Sequence, residues 1–268
     1  MAFNDPFDCQ FACGFPFSVE EFEERFKNEL ETLVFQAEEP RGDNGDPLFK
    51  MILLTRRHLR GRGREQFRGF LEQSVSRLIP QLQAALAFAA DTWSRQLSRL
   101  RIICLSETRD NLTMWAHYAA RHTGAVIRIR CVKERDSVFL GALPVRYSDE
   151  APFVGTLDQW IKHMTGQQRI DYDAHFLKLV TTKSRHWSYE REWRVIDPAC
   201  EPYTGTPDFD QYWPEEIDEV YFGCRTDDAN IDLIMSSVPQ ELEHVEFFKA
   251  GTMKWEFGLE FHKIGRNN

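Results

Sequence analysis

The segment Lys183 to Arg194, K-S-R-H-W-S-Y-E-R-E-W-R, sets Glu190, Glu192, a lysine, a histidine, arginines and three aromatic rings within a dozen residues. Read as a strand from Tyr189 onward, its alternation puts Glu190, Glu192 and Arg194 on one face and Tyr189, Trp193 and Val195 on the other. One face is charged and the other can pack. A second cluster lies upstream, where His117 and Tyr118 follow Ser106 and Glu107. Together these residues could move protons, with His117 as general acid or base, Glu107 or Glu190 as its partner, and Lys183 or the basic stretch after Arg56 against a phosphate. That reading is a nucleic-acid-directed hydrolase. The same charges also suit an edge strand whose ion pairs order a sheet in a non-catalytic recognition or sensor protein.

The elements that must position these residues follow from pattern and punctuation. Ser18-x-x-Glu21 is a capping box, and Phe22, Phe26, Leu30 and Leu33 follow at helical spacing, so a helix is expected over residues 19–35. Residues 38–48 read as a loop. A helical region follows over 65–100, with Phe67, Leu71, Val75, Leu78, Leu82 and Leu86 as its stripe and Pro80 bending or splitting it. Residues 101–105 read as a short buried strand ending at Ser106. Asp110 is the expected N-cap and Gly124 the expected helix stop, bracketing a short helix whose Met114, His117, Tyr118 and Arg121 share a stripe. Strands are expected at 125–131 and 138–147, a helix over 157–180, then the charged strand. Residues 197–213 read as a loop. A strand at 219–223, a helix capped by Asp227, and strands at 243–248 and 257–263 close the chain.

This is an α+β pattern: a central mixed or antiparallel sheet flanked by helices, with a helical insert near residues 50–100, read as one domain over 1–268. With 268 residues and 42% hydrophobic content the chain can build a sizeable core. Its six cysteines contain no C-x-x-C, and Cys9 and Cys13 are the only close pair. They read as reduced thiols of a cytoplasmic protein, and no metal site is expected. No apolar run is long enough to span a membrane, and the amino terminus lacks the regions of a signal peptide. A net charge of −9 argues against bulk affinity for nucleic acid. The local exception is Arg56 to Arg68, with six arginines and two glycines, read as a mobile basic loop leading into a helix that could hold phosphates of a nucleic-acid acceptor, or a protein acceptor.

Three motifs carry a resemblance: Asn4-Asp5-Pro6-Phe7-Asp8; Ser106-Glu107 followed by Met114-Trp115-Ala116-His117-Tyr118-Ala119; and Lys183 with Trp187, Tyr189, Glu190, Glu192, Trp193 and Arg194. In this order, with the later Val220-Tyr221-Phe222-Gly223, they resemble a bacterial family of unknown function. Members of that family usually carry further chain before the first motif, whereas this chain begins almost on it. Either its start is misassigned or truncated, or it has dispensed with an element that could form one wall of the site. More distantly, a strand ending in Ser106 and a later strand with Glu190-x-Glu192 resemble the ADP-ribosyltransferase arrangement. That resemblance implies NAD as co-substrate and cleavage of its nicotinamide–ribose bond through an oxocarbenium-like state stabilised by a carboxylate. It assigns Glu192 to the ribose, Glu190 to the acceptor and Ser106 to support of the carboxylate. Trp115 or Tyr118 would pack nicotinamide. Those enzymes grip the NAD phosphates or ribose from an earlier strand, and here Arg194, His117 or the Arg56–Arg64 stretch would substitute, with Lys183 close by. The implied setting is bacterial conflict, as a toxin or anti-phage effector.

Overall fold

The computed structural model describes residues 16–59, 63–97, 100–197 and 213–265. The first half of the chain contains α1 (Val19–Phe35), α2 (Pro47–Leu59), α3 (Arg64–Leu97), β1 (Arg101–Ser106), α4 (Leu112–Tyr118) and β2 (Ala125–Ile129). There follow β3 (Leu143–Pro144), β4 (Arg146–Ser148), α5 (Leu157–Met164), α6 (Tyr172–Val180), β5 (Thr182–Ser184) and β6 (Glu192–Asp197). The chain closes with β7 (Ile217–Phe222), α7 (Asp228–Ser236), β8 (Glu246–Thr252) and β9 (Leu259–Ile264). The fold class is α+β. It is built as two compact units, Met1–Ser98 with Glu150–Thr182, and Arg99–Asp149 with Lys183–Asn268.

The first unit is helical. The Ser18 hydroxyl accepts from the Glu21 N–H and starts α1, whose Phe22, Phe26, Leu30 and Leu33 are buried as their spacing predicts. Against them pack Ile52 of α2, Leu71 and Val75 of α3, Trp160 and Ile161 of α5, and Leu179 of α6. Each such side chain contributes about 1.5–3 kcal/mol by leaving water. The helix α3 runs unbroken past Pro80. The side chains of Leu78, Leu82 and Leu86 fall outside the described ones.

Two expectations for this unit are corrected. Arg56 and Arg57 belong to the last turn of α2 and Arg64 opens α3, so the basic stretch is mostly helix, and residues 60–62 lie outside the described residues. The stretch looked like a loop because its arginines and glycines hide the end of α2, whose buried residues Phe49 and Ile52 lie before it. Three of its described arginines are engaged internally. Arg56 donates to the carbonyls of Leu33, Val34, Ala37 and Glu38 at the end of α1, and Arg64 and Arg68 both pair with Glu31. Hydrogen bonding from Arg68 outweighs burial and holds the Glu31 carboxyl below its usual range. The expected single helix over 157–180 is two helices. Gly166 turns the chain with φ of 71°, and the Asp171 side chain caps α6 by accepting from the Ala174 N–H.

The second unit carries the strands. A four-stranded mixed sheet has the order β2-β7-β8-β9, with β7 and β8 parallel and the other pairs antiparallel. Adjacent residues of β7 point to opposite faces. Tyr221 packs with Trp115 and Ala119 from α4 and its end, whereas Phe222 packs with Ile231 and Met235 of α7. A three-stranded antiparallel sheet has the order β1-β6-β3, and β4 pairs with β5. The expected strand over 138–147 is instead a 3-10 turn at Val138–Gly141 followed by the short β3 and β4. Pro144, which has no N–H to donate, limits the ladder there. The motif at residues 4–8, the cysteines 9, 13 and 200, and most of the loop expected at 197–213 lie outside the described residues.

Candidate functional site

The second unit brings the two sequence clusters together. Strands β1 and β6 run antiparallel with Ser106 opposite Glu192 and Cys104 opposite Arg194. The charged strand begins later than its alternation suggested. Residues Arg185–Glu190 form a 3-10 turn, Arg191 sits in the left-handed region at φ 45° and ψ 53°, and β6 starts at Glu192. Glu190 therefore does not share a strand face with Glu192. The two carboxylates meet because the turn folds back over Lys183.

Lys183 Nζ lies 2.5 Å from Glu190 Oε2 and 2.9 Å from Glu192 Oε2. Arg194 donates from Nε to Glu192 Oε1 at 2.7 Å and from Nη2 to Glu192 Oε2 at 3.2 Å. All four side chains are buried, and Arg194 is fully enclosed. Burial pulls the Glu192 carboxyl upward, but the hydrogen bond and charge of Arg194, with contributions from Cys104 and Lys183, outweigh it and hold the group below its ordinary range. Glu192 is thus an anion at neutral pH. The Tyr147 hydroxyl accepts from the Glu192 N–H at 2.8 Å, and burial raises its pKa, so it stays a neutral phenol.

A rim of rings covers the cluster. Tyr118 donates from its hydroxyl to Glu190 Oε1 at 2.7 Å yet is 52% exposed, so the Glu190 carboxylate lies one side chain beneath the surface. The Tyr189 hydroxyl and His117 Nδ1 are 3.2 Å apart, and Trp187 lies about 6 Å from both of their rings. Lys183 Nζ is 5.2 Å from the centre of the Trp187 ring, so its charge meets both carboxylates and an aromatic face. Burial, and then the charge of Glu190, raise the Tyr189 pKa.

The loop between β1 and α4 fixes this turn by its backbone. The Ser106 hydroxyl donates to the Glu190 carbonyl, the Asn111 amide to the Tyr189 carbonyl, and the Glu107 N–H to the Arg191 carbonyl. Three successive carbonyls are held by one loop. Asn111, not Asp110, caps α4, accepting from the N–H groups of Thr113 and Met114. The helix ends at Tyr118, and Arg121 leaves its stripe because Ala120, Arg121 and His122 all take positive φ.

Of the residues singled out from sequence, the structure joins Lys183, Glu190, Glu192, Arg194, Tyr118 and His117. Ser106 serves the backbone of Glu190, whereas the sequence had it supporting a carboxylate. Trp115 is 1% exposed in the core of the four-stranded sheet, beside Phe261 and His122, with its Nε1 donating to the Arg109 carbonyl. It therefore has no face to offer a ligand. Arg194, committed to Glu192, has no guanidinium edge to give a phosphate. Asn111 and Tyr147 were missed. Asn111 could have been found as a better cap than its neighbour, while nothing local marks Tyr147. Among the described residues no group of three or more His, Cys, Asp and Glu side chains could hold a metal ion, and no helix is long and apolar enough to cross a membrane.

Residues 114–195 match the model of a family described as a protein of unknown function (DUF2971). That stretch includes His117, Tyr118, Lys183, Glu190, Glu192 and Arg194, whereas Ser106 lies outside it. No curated protein and no solved structure matches the chain.

Proposed function

We propose that the chain is an ADP-ribosyltransferase-like enzyme that cleaves the nicotinamide–ribose bond of NAD, acting in bacterial conflict as a toxin or anti-phage effector. The observation that carries this reading is the direct opposition of Ser106 and Glu192 on adjacent antiparallel strands, with Glu190 in the turn two residues before. Cleavage builds positive charge on the ribose, and a carboxylate kept ionised in a water-poor site stabilises it. Glu192 meets that requirement, because Arg194 and Lys183 keep it charged despite burial. In this reading a ribose hydroxyl takes the place of the Lys183 ammonium on Glu192. The half-exposed rings of Tyr118, Trp187 and Tyr189, with His117, stack the nicotinamide, and Glu190 orients the acceptor through Tyr118.

The test is nicotinamide release from NAD by the purified protein, with Glu192→Gln beside it and circular dichroism to show that both are folded. Release lost in the folded variant supports the assignment. No release under any acceptor condition sinks it.

A second reading has its own observation, the complete pairing of both buried carboxylates. Paired in this way, they order the aromatic rim of a non-catalytic recognition or sensor protein. NAD or a nucleotide quenching tryptophan fluorescence with no turnover, equally in wild type and Glu192→Gln, is the result that selects it.

A further inference from the structure

The loop joining β8 and β9 carries Met253-Lys254-Trp255-Glu256-Phe257, and its base is closed by the Met253 N–H donating to the Gly258 carbonyl at 3.1 Å. Trp255 is 86% exposed, Phe257 wholly exposed and Met253 40% exposed. Three large apolar side chains on one hairpin tip are a patch of the kind that marks an interaction site. They take no part in the core beneath, which is made by Ala250 and Leu259 with Tyr221 and Trp115.

The charges at the tip select the partner. Lys254 and Glu256 flank Trp255 with opposite signs, so the tip is neutral and offers no cationic surface to nucleic acid or anionic lipid. It is complementary to itself. If two copies meet about a two-fold axis through Trp255, the order Met-Lys-Trp-Glu-Phe sets Lys254 against the partner's Glu256, Glu256 against the partner's Lys254, and Met253 against the partner's Phe257. A two-fold contact requires this kind of self-complementary patch. We propose that the β8–β9 tip is a homodimer contact, centred on paired Trp255 rings and bracketed by two reciprocal Lys254–Glu256 ion pairs. Three side chains from each copy place it at the small end of protein interfaces, so the dimer is weak and concentration-dependent.

The experiment is sedimentation velocity on the full chain at loadings from roughly 10 μM to 1 mM, the range in which such contacts populate. Expected is a monomer that shifts to dimer with concentration. Trp255→Ser with Phe257→Ser should remain monomeric throughout with an unchanged urea midpoint. Lys254→Glu and Glu256→Lys should each suppress the dimer by juxtaposing like charges, and the two combined should restore it. A wild-type protein that stays monomeric overturns the proposal, as does a dimer indifferent to the single reversals or a double reversal that fails to recover. The readout is independent of NAD chemistry.

Discussion

The Ser106 hydroxyl donates to the backbone carbonyl of Glu190 at 2.7 Å, which leaves the Glu190 carboxylate entirely to Lys183 and Tyr118. The strand end and the carboxylate are therefore coupled through the main chain. Ser106→Ala should cost about 1–2 kcal/mol, since it removes the hydrogen bond to the Glu190 carbonyl and the longer one accepted from the Thr108 N–H, without disturbing the ion pairs. Asn111→Ala should cost more, because the same side chain caps α4 and holds the Tyr189 carbonyl, and a lost cap alone is worth about 0.5–2 kcal/mol. Urea unfolding of both variants checks the order.

Lys183 is the one ammonium shared by Glu190 and Glu192. Lys183→Met should be destabilising by about 3–5 kcal/mol, since it leaves buried carboxylate charge uncompensated. Adding Glu190→Gln should recover much of that loss, because Glu192 keeps Arg194 whereas Glu190 has no second cation among the described residues. A double-mutant cycle by urea unfolding reads the coupling. Additive losses would show that Lys183 acts by packing and not by charge.

How far the sequence could be read depends on which forces act locally. The helix α1 was legible because Ser18 and the Phe22, Phe26, Leu30 spacing are local signals of capping and burial. The meeting of Glu190 with Glu192 was anticipated for the wrong reason. A period of two cannot reveal that Arg191 adopts φ 45°, which breaks the strand and folds the preceding turn over Lys183. Trp115 was misread because a tryptophan beside His117 and Tyr118 looks the same in sequence whether it faces a ligand or Phe261. The role of Tyr147, 45 residues from Glu192 in the chain, is set by tertiary packing alone. The arginines at 56, 64 and 68 suggested an external anion, yet their partners are a helix end and Glu31.

Glu192 links the cluster to pH. Its folded-state pKa lies below the ordinary value of 4.5, so in mild acid the unfolded chain binds the proton more readily than the folded one. The stability it supplies is complete above that ordinary value and is lost as pH falls through the folded one. Glu192→Gln should therefore differ most from wild type at neutral pH, and the gap between their urea midpoints should narrow below about pH 4.5. A gap that stays constant down to the acid transition would mean that Glu192 contributes shape and hydrogen bonding but no charge.

Gly223 ends the strand whose Tyr221 packs on Trp115, and its backbone passes so close to the preceding turn that an added Cβ would lie 2.1 Å from the His122 carbonyl oxygen. That carbonyl is already committed, accepting from the Arg225 N–H at 3.0 Å. His122 cannot retreat cheaply. Ala120, Arg121 and His122 all hold positive φ, a conformation costing each of them about 1–2 kcal/mol that only surrounding contacts maintain. Gly223→Ala must therefore displace backbone, and the turn that would move follows directly on α4, which carries His117 and Tyr118 over the buried carboxylates. The expected result is a loss of several kcal/mol, beyond the usual range for a single surface substitution, with a changed environment for the Trp115 ring that stacks on His122. Urea unfolding with near-ultraviolet circular dichroism reads both. Gly141→Ala, where an added Cβ meets nothing within 4 Å, is the matched control and should leave both signals at wild-type values.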